Sequence, residues 1–227
     1  MQLHYTVYGS GGNTLVLLHG NRGSSATFAA QIPYFVARGL QVIAVDTRGH
    51  GASPRGSAPF TIATFVADLY ALLTALGVQR PFLMGFSDGG NIALQYAIAH
   101  PGTLGGLVVC GANLNPAGLR PLMLLPVAVG YGACAVLGAV WPTARRAGEY
   151  LSLLVCQPHI SLSSLGRVRL PALVVCARDD VVRRSHTRKI AAALRAKLAV
   201  LPGGHNLPQN SATAFNRCVW AFLRPLM

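Results

Sequence analysis

A serine between two glycines is the best-placed candidate nucleophile in this chain. Residues 85–89, GFSDG, directly follow the apolar run 81–84 and directly precede a stretch with helical spacing, 91–99. A strand that ends at a glycine, turns on a serine and enters a helix forms a nucleophile elbow, which lifts the serine clear of the sheet. The glycines are required because side chains two residues either side would collide with the neighbouring strand and helix. The pattern therefore predicts that Ser87 is a catalytic nucleophile.

A serine hydroxyl is a weak nucleophile at neutral pH, so Ser87 needs a base and a third group that orients the base. In sites built this way, an acid and then a histidine follow the serine along the chain. Of the seven histidines, His186 and His205 follow the last long predicted strand. His186 begins a helix, where a surface role is expected. His205 lies in the glycine-rich segment PGGHNLP, from which an imidazole can reach the elbow, and we expect it to be the base.

The acid should lie just after the predicted strand 172–176, where the segment ARDDVV supplies Asp179 and Asp180. We favour Asp180, because the turn after such a strand usually places the acid about four residues beyond the last buried position. The apolar pair Val181 and Val182 would then pack back beneath it. Asp179 remains the alternative, with solvation of the turn beside Arg178 as its other role.

Attack on a carbonyl also needs hydrogen-bond donors where negative charge develops on oxygen. We expect one donor to be the backbone N–H of Asp88 and another to be that of Asn21, in the loop after His19 and Gly20. Because backbone groups serve whatever the side chain, the identities of Asn21 and Asp88 carry little information. His19 itself is expected to hold the loop in place.

Short apolar strands alternate with helical segments over most of the chain, which predicts an α/β fold with a mostly parallel sheet covered on both faces. The length of 227 residues suits a single domain. The predicted strands are 1–8, 14–18, 41–45, 81–84, 107–110, 171–176 and 198–201, and the predicted helices are 25–38, 61–76, 91–100, 185–194 and 211–223.

The alternation stops between two predicted core strands, so residues 113–169 are expected to form an inserted cap, with 1–112 and 170–227 as the core. Within the insertion, the 24 residues 121–144 carry no charge. Pro126, Pro142 and three glycines (Gly130, Gly132 and Gly138) are expected to cut this stretch into shorter pieces. A membrane-spanning helix there would separate two halves of one sheet, so we favour a cap over an apolar cavity. Shallow contact of this stretch with a membrane is the alternative.

The chain is strongly basic, with a formal net charge of +13, and most of the excess lies after residue 119. Such a field favours anionic partners such as a membrane surface, an acyl carrier or nucleic acid. Arginine outnumbers lysine seventeen to two, which indicates compositional bias, and no dense basic run with interleaved aromatics appears. Nucleic-acid binding is therefore not expected.

Five widely spaced cysteines are expected to be buried, reduced thiols rather than a disulfide framework or a zinc site. The first eight residues alternate apolar and polar side chains as a strand does, with no basic leader or long apolar core. These features favour a cytoplasmic protein. The sequence does not indicate an oligomeric state.

Several segments together resemble the α/β-hydrolase fold superfamily, in its compact, cofactor-free serine hydrolase branch. They are LLHGN (17–21), DTRGHGAS (46–53), GFSDGGN (85–91), the strand before Asp180, and GH (204–205). The resemblance implies a three-layer fold with a sheet of about seven strands and a small helical cap. It also implies a catalytic triad without metal or cofactor, and a structural role for Asp46, Arg48 and His50.

The leading hypothesis is hydrolysis of a carboxylic ester or thioester with an apolar acyl group, through an acyl-enzyme. Hydrolysis of a carbon–carbon bond or perhydrolysis would use the same triad. Dehalogenases and epoxide hydrolases of this superfamily use an aspartate at the elbow, so Ser87 argues against them. An aminopeptidase is disfavoured because Glu149 is the only acid in the insertion. A non-catalytic ligand-binding homologue and a membrane-associated lipase remain as different classes of function.

Overall fold

The computed structural model describes residues 1–227, and all seven of its β-strands belong to one sheet. The strands are β1 (Tyr5–Tyr8), β2 (Asn13–Leu18), β3 (Leu40–Val45), β4 (Phe82–Phe86), β5 (Gly106–Cys110), β6 (Ala172–Asp179) and β7 (Lys197–Gly204). Their order across the sheet is β1-β3-β2-β4-β5-β6-β7. β1 runs antiparallel to β3, and every other neighbouring pair is parallel. The predicted mostly parallel sheet of about seven strands is confirmed.

Nine α-helices accompany the sheet. They are α1 (Gln31–Val36), α2 (Ile62–Ala75), α3 (Asp88–Ala99), α4 (Pro121–Leu137), α5 (Pro142–Val155), α6 (Leu162–Leu165), α7 (Arg184–Leu194), α8 (Leu207–Asn210) and α9 (Ala212–Leu223). The Thr61 hydroxyl accepts a hydrogen bond from the backbone N–H of Thr64, so Thr61 is the N-cap of α2.

Alternate side chains of each central strand enter two separate hydrophobic clusters, one on each face of the sheet. In β2, Val16 and Leu18 belong to the cluster formed with α2, α3 and α7, whereas Leu15 and Leu17 belong to the cluster formed with α1 and α9. This period of two follows from strand geometry. It explains why the central strands are apolar at nearly every position, since both faces are covered.

Long-range pairing lengthens the last two strands beyond their predicted ends. β6 extends through Arg178 and Asp179, and Asp179 pairs with Gly204 across a register shift. The added positions are polar residues and glycines, so the hydropathy pattern does not mark them as strand. They are strand residues because they pair with the neighbouring strand. The helix predicted over 25–38 is instead a 3-10 turn (Ser25–Phe28) followed by α1. The closing helix predicted over 211–223 is confirmed as α9, and the short helix α8 before it was not predicted.

Helices α4, α5 and α6 form an insertion between β5 and β6. The expectation that prolines and glycines cut the uncharged stretch into short pieces is wrong for its first part, because Pro126 lies inside a continuous 17-residue helix. Close packing of α4 on α5 supports that helix: a side chain at Gly148 would lie 3.1 Å from Cβ of Cys134. Gly138 ends α4 and Pro142 begins α5. Neither these helices nor any other in the protein is long and apolar enough to cross a membrane.

All five cysteines are free thiols, but they differ in exposure. Cys110 and Cys176 are buried in core strands, as predicted, while Cys134 and Cys218 are only partly buried. The prediction is wrong for Cys156, which is exposed. It follows an apolar run, but that run lies at the end of α5, where the chain leaves the helix for solvent.

Candidate active site

Ser87 occupies a strained turn between the end of β4 and the start of α3. Its φ of 54° and ψ of −119° lie in a region that residues with side chains rarely adopt. A Cβ at Gly85 would overlap the carbonyl oxygen of Gly89, and a Cβ at Gly89 would overlap that of Leu18 in β2. The steric reason inferred from the sequence for both glycines is therefore confirmed, and it explains how the backbone holds the serine above the sheet.

The structure brings Ser87, His205 and Asp180 together at the carboxyl edge of the sheet. Nε2 of His205 lies 3.1 Å from Oγ of Ser87, and Nδ1 of His205 lies 2.7 Å from Oδ1 of Asp180. Asp180 directly follows β6 and His205 directly follows β7, so two neighbouring parallel strands deliver both side chains. The arrangement is the one a serine nucleophile, its base and an orienting carboxylate require.

Asp180 is held as a carboxylate by its surroundings. Burial opposes ionisation, but the hydrogen bond from His205 and those from the backbone N–H groups of Val182 and Ala177 outweigh it, so the pKa of Asp180 lies below its ordinary value. The alternative acid, Asp179, is exposed and its carboxylate forms no hydrogen bond or ion pair. Of the two candidates from the sequence, Asp180 is the one in contact with the imidazole.

Two backbone N–H groups are available beside Ser87. Asp88 is the first residue of α3, where the N–H groups have no acceptor within the helix. The N–H of Asn21, in the loop after β2, forms no hydrogen bond within the protein. A Cβ at Gly20 would lie 2.9 Å from Cβ of Ser87, so this loop passes directly against Ser87. Both Asn21 and Asp88 line the same pocket as Ser87.

Two residues beside the imidazole were not identified from the sequence. A Cβ at Gly111, which has a φ of +64°, would lie 2.7 Å from Cε1 of His205. Phe86 places its ring 5.0 Å from that of His205, centroid to centroid. Gly111 directly follows the apolar strand β5, and a glycine at such a position indicates that another group packs closely against the backbone. Only the fold shows that this group is the His205 imidazole.

The carboxyl group of Asp88 is buried beside Ser87 with little hydrogen bonding. Its Oδ1 has one long contact, 3.4 Å, with Nδ2 of Asn91, and its Oδ2 has no partner. Burial raises the pKa of Asp88 to about 7. Asn91 also exchanges hydrogen bonds with Asn113, which fixes the polar floor of the pocket.

The pocket around Ser87 has a volume of about 370 Å³. Its core side is mainly polar, and its outer wall is apolar. Part of that wall comes from the insertion, and the remainder follows β6: Leu119, Met123, Leu151, Leu154, Val181 and Val182. A site of this composition suits a substrate with an apolar group next to a polar reacting centre.

The segment DTRGHGAS (46–53), for which the family resemblance implies a structural role, forms a buried network outside the pocket. Asp46 accepts hydrogen bonds from the backbone N–H groups of Ser25 and Ala52, and Arg48 pairs with both carboxylate oxygens of Asp68, at 2.7 Å each. Burial, together with the neighbouring His19, lowers the pKa of His50 to about 4, so this imidazole is neutral near pH 7.

His19 and His186 are also placed by the structure. Nδ1 of His19 donates to the carbonyl of Gly20 at 2.7 Å, which leaves Nε2 to accept from the N–H of Thr47 at 3.1 Å. Burial lowers the pKa of His19, consistent with a neutral ring that ties two loops together. His186 lies beside Gly118 and does not line the pocket. No group of three or more histidine, cysteine, aspartate or glutamate side chains is arranged to hold a metal.

Comparison with known proteins agrees with this geometry. Residues 13–131 match the family model described as alpha/beta hydrolase fold. The human serine hydrolase BPHL is 30% identical, over 99% of this chain and 84% of its own length. A 2-hydroxy-6-oxononadienedioate/2-hydroxy-6-oxononatrienedioate hydrolase of Paraburkholderia phymatum is 29% identical, over 94% of this chain and 72% of its own.

A solved structure shares the fold over nearly the whole length. The enol-lactonase from Burkholderia xenovorans superposes with a TM-score of 0.81, covering 98% of this chain and 96% of that one at 22% identity. The sheet order, the elbow and the match to the family model lead to one assignment. The chain is a member of the α/β-hydrolase fold family and a hydrolase by its relatives.

Proposed function

We propose that this protein is a serine hydrolase that cleaves a carboxylic ester or thioester through an acyl-enzyme, with Ser87, His205 and Asp180 as its triad. The observation that carries the proposal is the unbroken chain of contacts from Asp180 Oδ1 through the imidazole to Ser87 Oγ, at 2.7 and 3.1 Å. Serine is the residue that forms acyl-enzymes in such a chain, and no metal or cofactor is needed.

Each proton in the proposed reaction has a defined place. Nδ1–H of His205 donates to Asp180, so Nε2 is free to take the Ser87 hydroxyl proton while Oγ bonds to the substrate carbonyl carbon. Nε2–H then protonates the departing alcohol or thiol as its bond to carbon breaks. A water molecule gives a proton to Nε2 and attacks the acyl-enzyme, and that proton returns to Oγ as the acid leaves.

The two free N–H groups would stabilise the intermediates of both steps. The negative charge on the substrate oxygen is proposed to be held by the N–H groups of Asn21 and Asp88. Gly20 supports this role, because its lack of a side chain lets the loop approach the serine. Donors that are fixed before the reaction cost no reorganisation when the charge appears.

Residues 113–169 are proposed to act as a cap over the core formed by 1–112 and 170–227. Helix α5 is tied to the core by an ion pair between Arg55 and Glu149 and by a hydrogen bond from Asn21 to the carbonyl of Tyr150, at 2.8 Å. The leucines it contributes, Leu151 and Leu154, line the pocket. The apolar wall supports an apolar acyl group as the part of the substrate that the cap covers.

A fluorophosphonate probe tests the chemistry, and graded nitrophenyl esters and thioesters test the substrate. We expect the probe to label the native protein and not the Ser87→Ala variant, and turnover to be greatest for medium or longer acyl chains. Ser185→Ala, on the exposed first turn of α7, is the matched control and should label normally. A folded native protein that neither labels nor turns over any ester would instead support a non-catalytic ligand-binding homologue.

Hydrolysis of a carbon–carbon bond is the second candidate. The Paraburkholderia relative is named for hydrolysis of a dioate, and Arg22, at the pocket, is a cation that could pair with a substrate carboxylate. If this reaction is the true one, the native protein labels with the probe yet turns over dicarboxylate enol-ketones faster than esters. Replacement of Arg22 by Gln would then raise KM for the dicarboxylate far more than for a neutral ester.

A further inference from the structure

Helix α4 presents an apolar face to solvent, which is unusual for a helix of this length. The helix has 17 residues, none of them charged and none of them buried. Its neighbour is α5, and the opposite side is open. The side chains on that side and in the turn that follows are between 55% and 90% exposed: Leu122, Leu125, Val129, Val136, Val140 and Trp141. We call these six residues the apolar stripe.

The spacing of the apolar stripe places it along one side of the helix. Its first four members are separated by three, four and seven residues, which is the spacing of neighbours along a helical face. Scattered exposed apolar residues are normal on a protein surface, but a continuous stripe indicates a binding surface. The helix is about 25 Å long, too short to cross a bilayer, so a bilayer partner would hold it in the interface plane.

The positive charge of the protein surface favours an anionic partner for the apolar stripe. Five of the six acidic residues are buried or paired, and Asp179 is the one that is exposed without a partner. Among the 19 lysines and arginines, only Arg48 and Arg55 form ion pairs. Arg120 at the start of α4, and Arg145 and Arg146 just beyond the stripe in α5, are all exposed. An apolar stripe with arginines at both ends matches acyl chains below anionic phosphate headgroups.

Other occupants fit less well. In a dimer through this face, the arginines of the two copies would be brought together without intervening acids, which opposes association. A nucleic acid would match the arginines but not an uncharged stripe of leucine and valine. Trp141, at the edge of the stripe, is the residue type that prefers the boundary between headgroups and hydrocarbon.

We propose that α4 and the turn after it lie on the surface of an anionic phospholipid bilayer. The proposal has a consequence for the site, because Met123, in the first turn of the same helix, lines the pocket of Ser87. The pocket would then lie close to the bilayer surface, and substrates with apolar acyl groups would reach it from there. The docking surface itself is independent of the proposed hydrolase function, and only this entry route rests on that function.

Flotation with vesicles tests the docking surface without any measurement of activity. The native protein and Ser87→Ala should float with phosphatidylcholine–phosphatidylglycerol vesicles at low salt, and not with phosphatidylcholine alone. The triple variant Leu122→Gln, Leu125→Gln and Val129→Gln keeps good helix formers and should bind about tenfold more weakly or worse. Leu198→Gln with Val200→Gln, on the exposed edge strand β7, is the matched control and should bind as the native protein does.

Two further measurements test the contribution of the arginines to binding and the depth of Trp141 in the bilayer. Arg145→Gln with Arg146→Gln should weaken binding by about tenfold, whereas Arg217→Gln with Arg224→Gln, exposed on α9 and beyond it, should weaken it less. In a Trp220→Phe variant, Trp141 is the only tryptophan, and its emission should shift to shorter wavelength and resist acrylamide quenching when anionic vesicles are added.

Three results would overturn the proposal. The first is no flotation with anionic vesicles at low salt by a folded native protein. The second is equal binding by the triple variant and the native protein, because charge alone would then suffice. The third is a native dimer that the triple variant converts to a monomer, with no vesicle binding by either, because a second copy would then be the occupant.

Discussion

At the residue scale, the site depends on which of two adjacent aspartates meets the imidazole. Asp180 is buried and bonded to His205, while its neighbour Asp179 is exposed at the end of β6. From the position of the preceding strand, the sequence limited the acid to these two residues and favoured Asp180, with Asp179 as the alternative. Successive side chains at the end of a strand point to opposite sides, so Asp179 is exposed and Asp180, the next residue, is buried.

Asp180→Asn should lower kcat by about 10³ to 10⁴-fold, because the amide cannot stabilise the imidazolium and favours the wrong ring tautomer. Asp179→Asn, one residue away, should leave kcat within a factor of about two, since that carboxylate touches no part of the site. Steady-state turnover of one good ester, with circular dichroism to verify folding, makes the comparison. Equal losses in the two variants would contradict the assignment of the acid.

Asp88→Asn should make the protein more stable at high pH and have progressively less effect as the pH falls. Burial raises the folded-state pKa of Asp88 to about 7, above its value in the unfolded chain. At pH values between these two pKa values, the native state therefore binds more protons than the unfolded state does. The native protein therefore loses stability as pH rises through that window, by at most about 4 kcal/mol. Urea unfolding near pH 5 and pH 8 measures the effect, and a difference between variant and native protein that does not change with pH would refute it.

At the element scale, periodicity located most strands and helices but not the features set by distant partners. The elbow strand, its helix and the helix capped by Thr61 follow from local pattern, because their apolar spacing and caps lie within the segment. Two features do not follow from local pattern, because pairing or packing with other elements decides them. They are the extension of β6 and β7 and the continuation of α4 through Pro126. The same limit applies to Gly111, whose role depends on an imidazole 94 residues away.

Gly111→Ala should reduce kcat strongly while the protein stays folded. The new methyl group would lie 2.7 Å from Cε1 of His205, so the ring must move away from Ser87. The left-handed backbone conformation at φ +64° adds a cost of about 1–2 kcal/mol in stability.

Gly102→Ala separates the two effects, because Gly102 also has a positive φ, +79°, but a Cβ there meets no atom within 4 Å. It should lose similar stability and keep its activity. Thermal unfolding and ester turnover of both variants give the comparison. Normal turnover by Gly111→Ala would show that the imidazole has room to accommodate the methyl group.

At the scale of the whole molecule, charge is distributed in a way that composition alone does not reveal. The net charge of +13 is visible in the sequence, but the structure shows that nearly every acid is buried or paired and therefore unable to offset the basic surface. The arginine bias of the chain thus becomes an almost purely cationic exterior. Like charges at this density repel one another and destabilise the compact state.

Added sodium chloride should therefore raise the thermal midpoint of unfolding, by about 3 °C or more between low and moderate ionic strength. The double variant Arg188→Gln and Lys189→Gln, on the exposed face of α7, lowers the net charge by two and should be more stable at low salt and less sensitive to added salt. Scanning calorimetry at several salt concentrations measures both effects. A midpoint that falls as salt is added would mean that screening of the Arg48–Asp68 and Arg55–Glu149 pairs outweighs relief of surface repulsion.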